Sequence, residues 1–170
     1  GDEMGLANYD FTSMEQITDV EAKGYYEEHR KKEPKEKVFG DILAGTREHA
    51  RVLLPWNKKL PPCHEGLYQK PKKEVFAAYR RLLLLRHQEK AFVYGSFRVI
   101  CKRKDRFVYA RALSGQVFVV DCNLGPRPCT AFPLKGSWQV VYDTNKERGR
   151  ILSGYEARIY KRKRNHHVDH

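Results

Sequence analysis

The apolar residues of this chain change their period once, near residue 90, and that change limits the folds open to it. Before it, Val75, Phe76, Tyr79, Leu82 and Leu83 recur at helical spacing within Lys73 to His87. Such spacing gives a helix one apolar face, which must be buried against something. After it, Val, Phe, Tyr and Ile alternate with polar residues, the pattern of half-buried strands. Helices followed by strands predict an α+β chain, and short strands separated by turns predict an antiparallel β-sandwich in the second half.

The individual elements follow from their punctuation. Thr18 or Asp19 is placed to cap a helix starting at Val20, and Pro34 separates it from a second helix over about Lys35 to Gly45. The proline-rich stretch 57–72 reads as a long loop. Strands are expected over Ala91–Lys102, Arg106–Leu113, Gln116–Asn123, Thr130–Leu134, Ser137–Asp143 and Ala157–Lys161. Lys104-Asp105, Ser114-Gly115 and Gly125-Pro126 are among the turns between them. The expected division is residues 1–90, a β domain over 91–163 and a tail over 164–170.

Composition narrows the function classes. Hydrophobic residues make up 41%, enough for a packed core. No apolar run approaches the ~20 residues of a membrane span, so no membrane partner is expected. The four cysteines form no CxxC pair and are read as reduced thiols of a cytoplasmic protein. The net charge of +12 permits nucleic-acid binding, and Tyr109 beside Arg111 keeps a basic β-rich module open as an alternative. The basic clusters, however, are scattered over turns and chain ends, the pattern of a solvated surface, and no nucleic-acid partner is expected.

Several stretches, taken in order, resemble the oligo-1,6-glucosidase and α-glucosidase branch of the α-amylase superfamily. Gly1-Asp2-Glu3-Met4-Gly5 looks like the end of the family's "YQG(E/D)E(I/M)G" segment. Asn8-Tyr9-Asp10-Phe11 and Asp19-Val20-Glu21-Ala22 are similar to the loop and helix start that follow it. Thr46-Arg47-Glu48-His49-Ala50-Arg51 with Pro55-Trp56 resembles "SRDNARTPMQW". Tyr79-Arg80-Arg81-Leu82 to Leu85-Arg86, then Val93-Tyr94-Gly95, resembles "YKKLIxLRK…VYG", where the last barrel helix enters a C-terminal β domain. Phe107 to Arg111 and Val119 to Asn123 look like that domain's strands. Two departures stand out: Val52-Leu53-Leu54 replace Thr-Pro-Met, and Pro61 to Gly66 replace a Gly-Phe loop bordering the acceptor subsites.

The resemblance implies that residues 1–90 are terminal helices of a TIM (β/α)8 barrel whose remainder precedes Gly1. It implies a retaining hydrolase of α-glucosidic bonds in short oligosaccharides. Such cleavage needs a nucleophilic carboxylate and a general acid/base, which in the family follow earlier barrel strands. None maps onto this chain, which alone is expected to be inactive. No cofactor or metal is implied.

The substrate-binding candidates are Arg47 and Arg51. They lie four apart, which puts them on one face if the segment is helical. The resemblance implies that an arginine of this motif pairs with an acid and holds the terminal glucose. The fork of guanidinium donors suits that task. The alternative is that each ties its loop down through an ion pair. Glu3, near the rim of the active-site face, and Trp56, which could stack on a sugar or simply pack, are weaker candidates. Adjacent Cys63 and His64 make poor nucleophile–base geometry. A sugar-binding sandwich without catalysis is a further alternative.

Overall fold

A computed structural model describes residues 1–54, 56, 70–145 and 149–163. Most of the expected loop 57–72, Cys63 and His64, and the tail 164–170 lie outside the described residues. The chain divides into two compact units, Gly1–Ala77 and Ala78–His170.

In the first unit, helix α1 spans Val20–His29 and helix α2 spans Lys35–Gly45. The Asp19 carboxylate caps α1 by accepting the Ala22 N–H at 3.3 Å. Pro34 precedes α2 at φ −58°, compatible with its ring and with the missing N–H of a helix start. Val38 and Ile42, one turn apart on α2, bury against Phe11, Ile17 and Ala22. Upstream, Met4 is buried in a short 3-10 turn, Asp2–Met4, and its carbonyl accepts the Lys72 N–H at 2.8 Å. Gly5 closes this turn at φ 64°, where a side chain would be strained and would also press on Val75.

Helix α3 spans Lys73–Gln88 and buries none of its residues. Tyr79, Leu82, Leu83 and Leu84 are between 38% and 62% exposed. The apolar stripe anticipated from its period is therefore left largely open by the described residues; Val75 is half-buried beside Gly5, and Leu85, next to the stripe, packs on the core of the sheet.

The strand pairs of the second unit are all antiparallel among the described residues. Its main sheet has the order β1-β2-β3-β7-β5, from strands Ser96–Arg103, Arg106–Leu113, Gln116–Asn123, Ala157–Arg162 and Trp138–Asp143 in that order. Strands β4 (Cys129–Thr130) and β6 (Ile151–Leu152) pair separately as a two-stranded ribbon. The β2–β3 hairpin turns at Ser114 (φ 47°) and Gly115 (φ 77°), the doubly positive backbone that matches strand twist.

Two strand expectations need correction. Ala91–Tyr94 forms a helical turn, α4, not the start of β1. Ala91 and Phe92 both pack on the Phe118 side of the sheet, whereas a strand would send them to opposite faces. Thr130–Leu134 shortens to Cys129–Thr130. Pro133 has no N–H for a ladder, and the Phe132 N–H goes to the Asp121 carboxylate at 2.8 Å.

One face of the sheet, around Phe118, Val120, Tyr142 and Ile159, is covered by α4 and Leu85. The other carries Val108, Ala110 and Val119, with Phe132, Leu134 and Trp138 over them. A row of charges crosses this second face, because Asp143 and Asp121 both stand opposite Arg158 in register. Arg158 meets Asp143 at 2.9 Å and Glu156 at 2.5 Å, and Arg106 meets Asp121 at 2.6 Å. The same arginines hold the ribbon: Arg106 donates to the Thr130 carbonyl, and Arg158 to those of Gly149 and Ile151.

Asp121 is fully buried, so removing it strands a guanidinium beneath the ribbon. Asp121→Ala is expected to destabilise the β unit by about 3 kcal/mol in urea unfolding followed by Trp138 fluorescence. Asp121→Asn, which still accepts from Phe132, should lose less.

Candidate functional site

Thr46 ends α2 in extended backbone, and its hydroxyl accepts the Glu48 N–H at 3.3 Å. That cap starts a short 3-10 helix, Arg47–Ala50, which carries the motif residues. In a 3-10 helix, residues four apart do not share a face, because each residue turns about 120°. Arg47 and Arg51 nevertheless both reach acids at the start of α1. Arg47 pairs with Glu21, both well exposed. Arg51 pairs with Asp19 at 2.9 Å and lies 3.6 Å from Glu48.

Glu48 lies buried at the centre of this cluster. Its carboxylate accepts the Thr18 N–H at 2.8 Å and the Thr18 hydroxyl at 2.7 Å. Burial pushes its pKa up, but the Thr18 hydroxyl, the amides of Thr18 and Asp19 and the charge of Arg51 outweigh it. The net effect holds Glu48 below the usual carboxylate range. Asp19 does double duty, capping α1 with one oxygen and taking Arg51 with the other. The cluster thus locks the motif segment to α1 and presents half-exposed Arg51 with Nε and Nη2 unpartnered among the described residues.

His49 points away from the arginines. Its Nε2 meets the Leu43 carbonyl at 2.9 Å, and its ring leans on Phe11 with centroids 5.4 Å apart. A groove of about 590 Å³ runs beside the cluster, lined by Asp19, Glu21, Tyr25, Asp41, Thr46 and Arg47. Glu3 sits in the 3-10 turn next to Met4 and makes no contact with either arginine among the described residues. Trp56 is 58% exposed and meets Phe76 edge-on, with centroids 6.4 Å apart. Neither joins the arginine cluster.

Thr18 and Glu48 belong to the cluster but were not singled out from sequence as members of it. The available signal was Glu48 itself, an acid between two arginines and two residues after a capping threonine. No group of three or more His, Cys, Asp or Glu suited to a metal occurs among the described residues. Among those residues no helix is long and apolar enough to cross a membrane.

Residues 95–159 match a family model described as a domain of unknown function, DUF3459. The oligo-1,6-glucosidase of Halalkalibacterium halodurans is 28% identical over 94% of this chain and 34% of its own length. The trehalose-6-phosphate hydrolase of Escherichia coli is 25% identical over 86% of this chain and 30% of its own. Among solved structures, a Bacillus licheniformis trehalose-6-phosphate hydrolase superposes with a TM-score of 0.76 at 17% identity, covering 95% of this chain and 35% of that one. A trehalulose synthase superposes with a TM-score of 0.73 at 22% identity, covering 95% and 34%. The chain therefore spans about a third of the length of the relatives it matches.

A depressed carboxylate stabilises the fold above its unfolded pKa and loses that stabilisation as pH falls through its folded pKa. Helix content followed by circular dichroism should therefore hold down to about pH 4 and fall below it, since model glutamate titrates near 4.3. Glu48→Gln should weaken the first unit at neutral pH by about 1–3 kcal/mol and flatten this acid loss.

Proposed function

We propose that this chain, the counterpart of the C-terminal part of the α-glucosidases and oligo-1,6-glucosidases of the α-amylase superfamily, serves a retaining hydrolase of α-glucosidic bonds in short oligosaccharides. The two relatives matched by sequence above are a glucosidase and a hydrolase, and the similarity to the H. halodurans enzyme runs over 94% of this chain. That continuity across both units, rather than over one motif, carries the reading.

Residues 1–90 then close the catalytic barrel and the β unit follows it. Cleavage with retention proceeds through an attack by one carboxylate while a second protonates the leaving oxygen. Both groups would come from the part of the enzyme preceding this chain, so the chain alone has no turnover. Its contribution is positional. Arg51 is the better of the two binding candidates, because Asp19 and Glu48 fix one end of its guanidinium and leave other donors for sugar hydroxyls. Arg47, more exposed and paired with Glu21, is the tether that sets the segment against α1.

The test is hydrolysis of a chromogenic α-glucoside by the complete protein that carries this chain. Turnover is expected there and none from residues 1–170 alone. Arg51→Lys is expected to raise KM about tenfold, because an ammonium cannot replace a bidentate fork, whereas Arg47→Lys should change KM less than twofold. Absence of turnover on α-1,4, α-1,6 and α-1,1 substrates alike would refute the reading.

A further inference from the structure

Among the described residues, the shortest polar contact of Arg51 is monodentate, Nη1 to the Asp19 carboxylate at 2.9 Å, and its side chain is half-exposed. A single contact of this kind lets a guanidinium turn about it, so the direction of the remaining donors is not yet set. What narrows the rotation is a second carboxylate on the same nitrogen, Glu48 Oε1 at 3.6 Å. That separation is too long for a hydrogen bond. Glu48 therefore acts on Arg51 as a charged wall, and the wall directs the fork only while the carboxylate itself stays in place.

Thr18 holds it there. Glu48 Oε1 accepts the Thr18 N–H at 2.8 Å and the Thr18 hydroxyl at 2.7 Å, the latter at the short distance of a charge-assisted bond. The hydroxyl is available for this because the Asp19 carboxylate, one residue on, caps α1. Two consecutive residues thus grip the motif segment from two sides, Thr18 through Glu48 and Asp19 through Arg51. Neither Thr18 nor Glu48 lines the groove beside the cluster. Their effect on a ligand there has to pass through the arginine.

We propose that Thr18 is a positioning residue for substrate binding: its hydroxyl fixes the Glu48 carboxylate, and that carboxylate fixes the rotation of Arg51, so that Nε and Nη2 meet the sugar hydroxyls in one orientation. This rests on the reading above that Arg51 holds the terminal glucose. A guanidinium oriented in advance loses less freedom when the sugar arrives. The gain is the same in the ground state and the transition state, so it shows in KM and not in kcat.

The test measures kcat and KM on the chromogenic α-glucoside for Thr18→Val and Thr18→Ser in the complete protein. Valine keeps the branched shape and the backbone N–H but has no hydroxyl, and residue 18 is exposed, so neither change disturbs a packed core. Thr18→Val is expected to raise KM about fivefold with kcat changed less than twofold, and Thr18→Ser to stay within about twofold of the unaltered protein. In an Arg51→Lys background, Thr18→Val should add no further rise. A KM unchanged by Thr18→Val overturns the proposal. So does an equal rise in Thr18→Ser, or a rise that adds in full to that of Arg51→Lys, since the hydroxyl would then not act through the arginine. A Tm lowered by more than about 5 °C in Thr18→Val would also overturn it, by assigning the residue to the fold alone. Lack of turnover by the unaltered protein removes the hydrolase reading and this one with it, whereas turnover with KM unchanged in Thr18→Val removes this one alone.

Discussion

The β unit depends on one carboxylate that has no access to water. Asp121 lies at the centre of a charged row on the second face of the sheet, met by Arg106 at 2.6 Å and by the Phe132 N–H. A buried charge is tolerated only when it is paired and hydrogen-bonded. Meeting that condition is what brings the loop after β4 down onto the sheet. Arg158 repeats the arrangement one strand over, between Asp143 and Glu156. Burial pushes the Glu156 carboxyl up, but the Ser153 N–H, Arg158 and Asn145 hold it low. The ribbon, too short to stand by its own two-residue strands, is held by these guanidiniums.

The same chemistry organises the first unit at lower burial. Arg51, Asp19, Glu48 and Thr18 tie the motif segment to the start of α1. Because Asp19 is also the helix cap, the position of the arginine and the stability of α1 are one property. A binding role and a tethering role for the arginines are thus not exclusive. Tethering fixes the guanidinium, and a fixed guanidinium is what a sugar-binding site needs.

How much of this was legible beforehand depended on how local each cause was. The bounds of α1 and α2 follow from Asp19, Pro34 and Gly45, and the β2–β3 hairpin from Ser114-Gly115, all signals read within a few residues. Helix α4 and the shortened β4 were not legible, because Phe118 and Asp121, far off in sequence, decide them. Arg47 and Arg51 stood out by resemblance, yet their partners are 26 and 32 residues away and no periodicity points to them. The stripe on α3 was plain in the sequence. Among the described residues, none of α3 is buried, which the sequence did not foretell.

The central claim is that this chain completes a longer barrel enzyme, and the coding sequence ahead of the Gly1 codon tests it most directly. The reading frame should continue upstream for roughly twice the length of this chain. It should enter Gly1 from a barrel strand and carry, farther back, the nucleophilic carboxylate and the general acid/base that such cleavage needs. A frame that opens at Gly1, or that leads into an unrelated domain, would contradict the account.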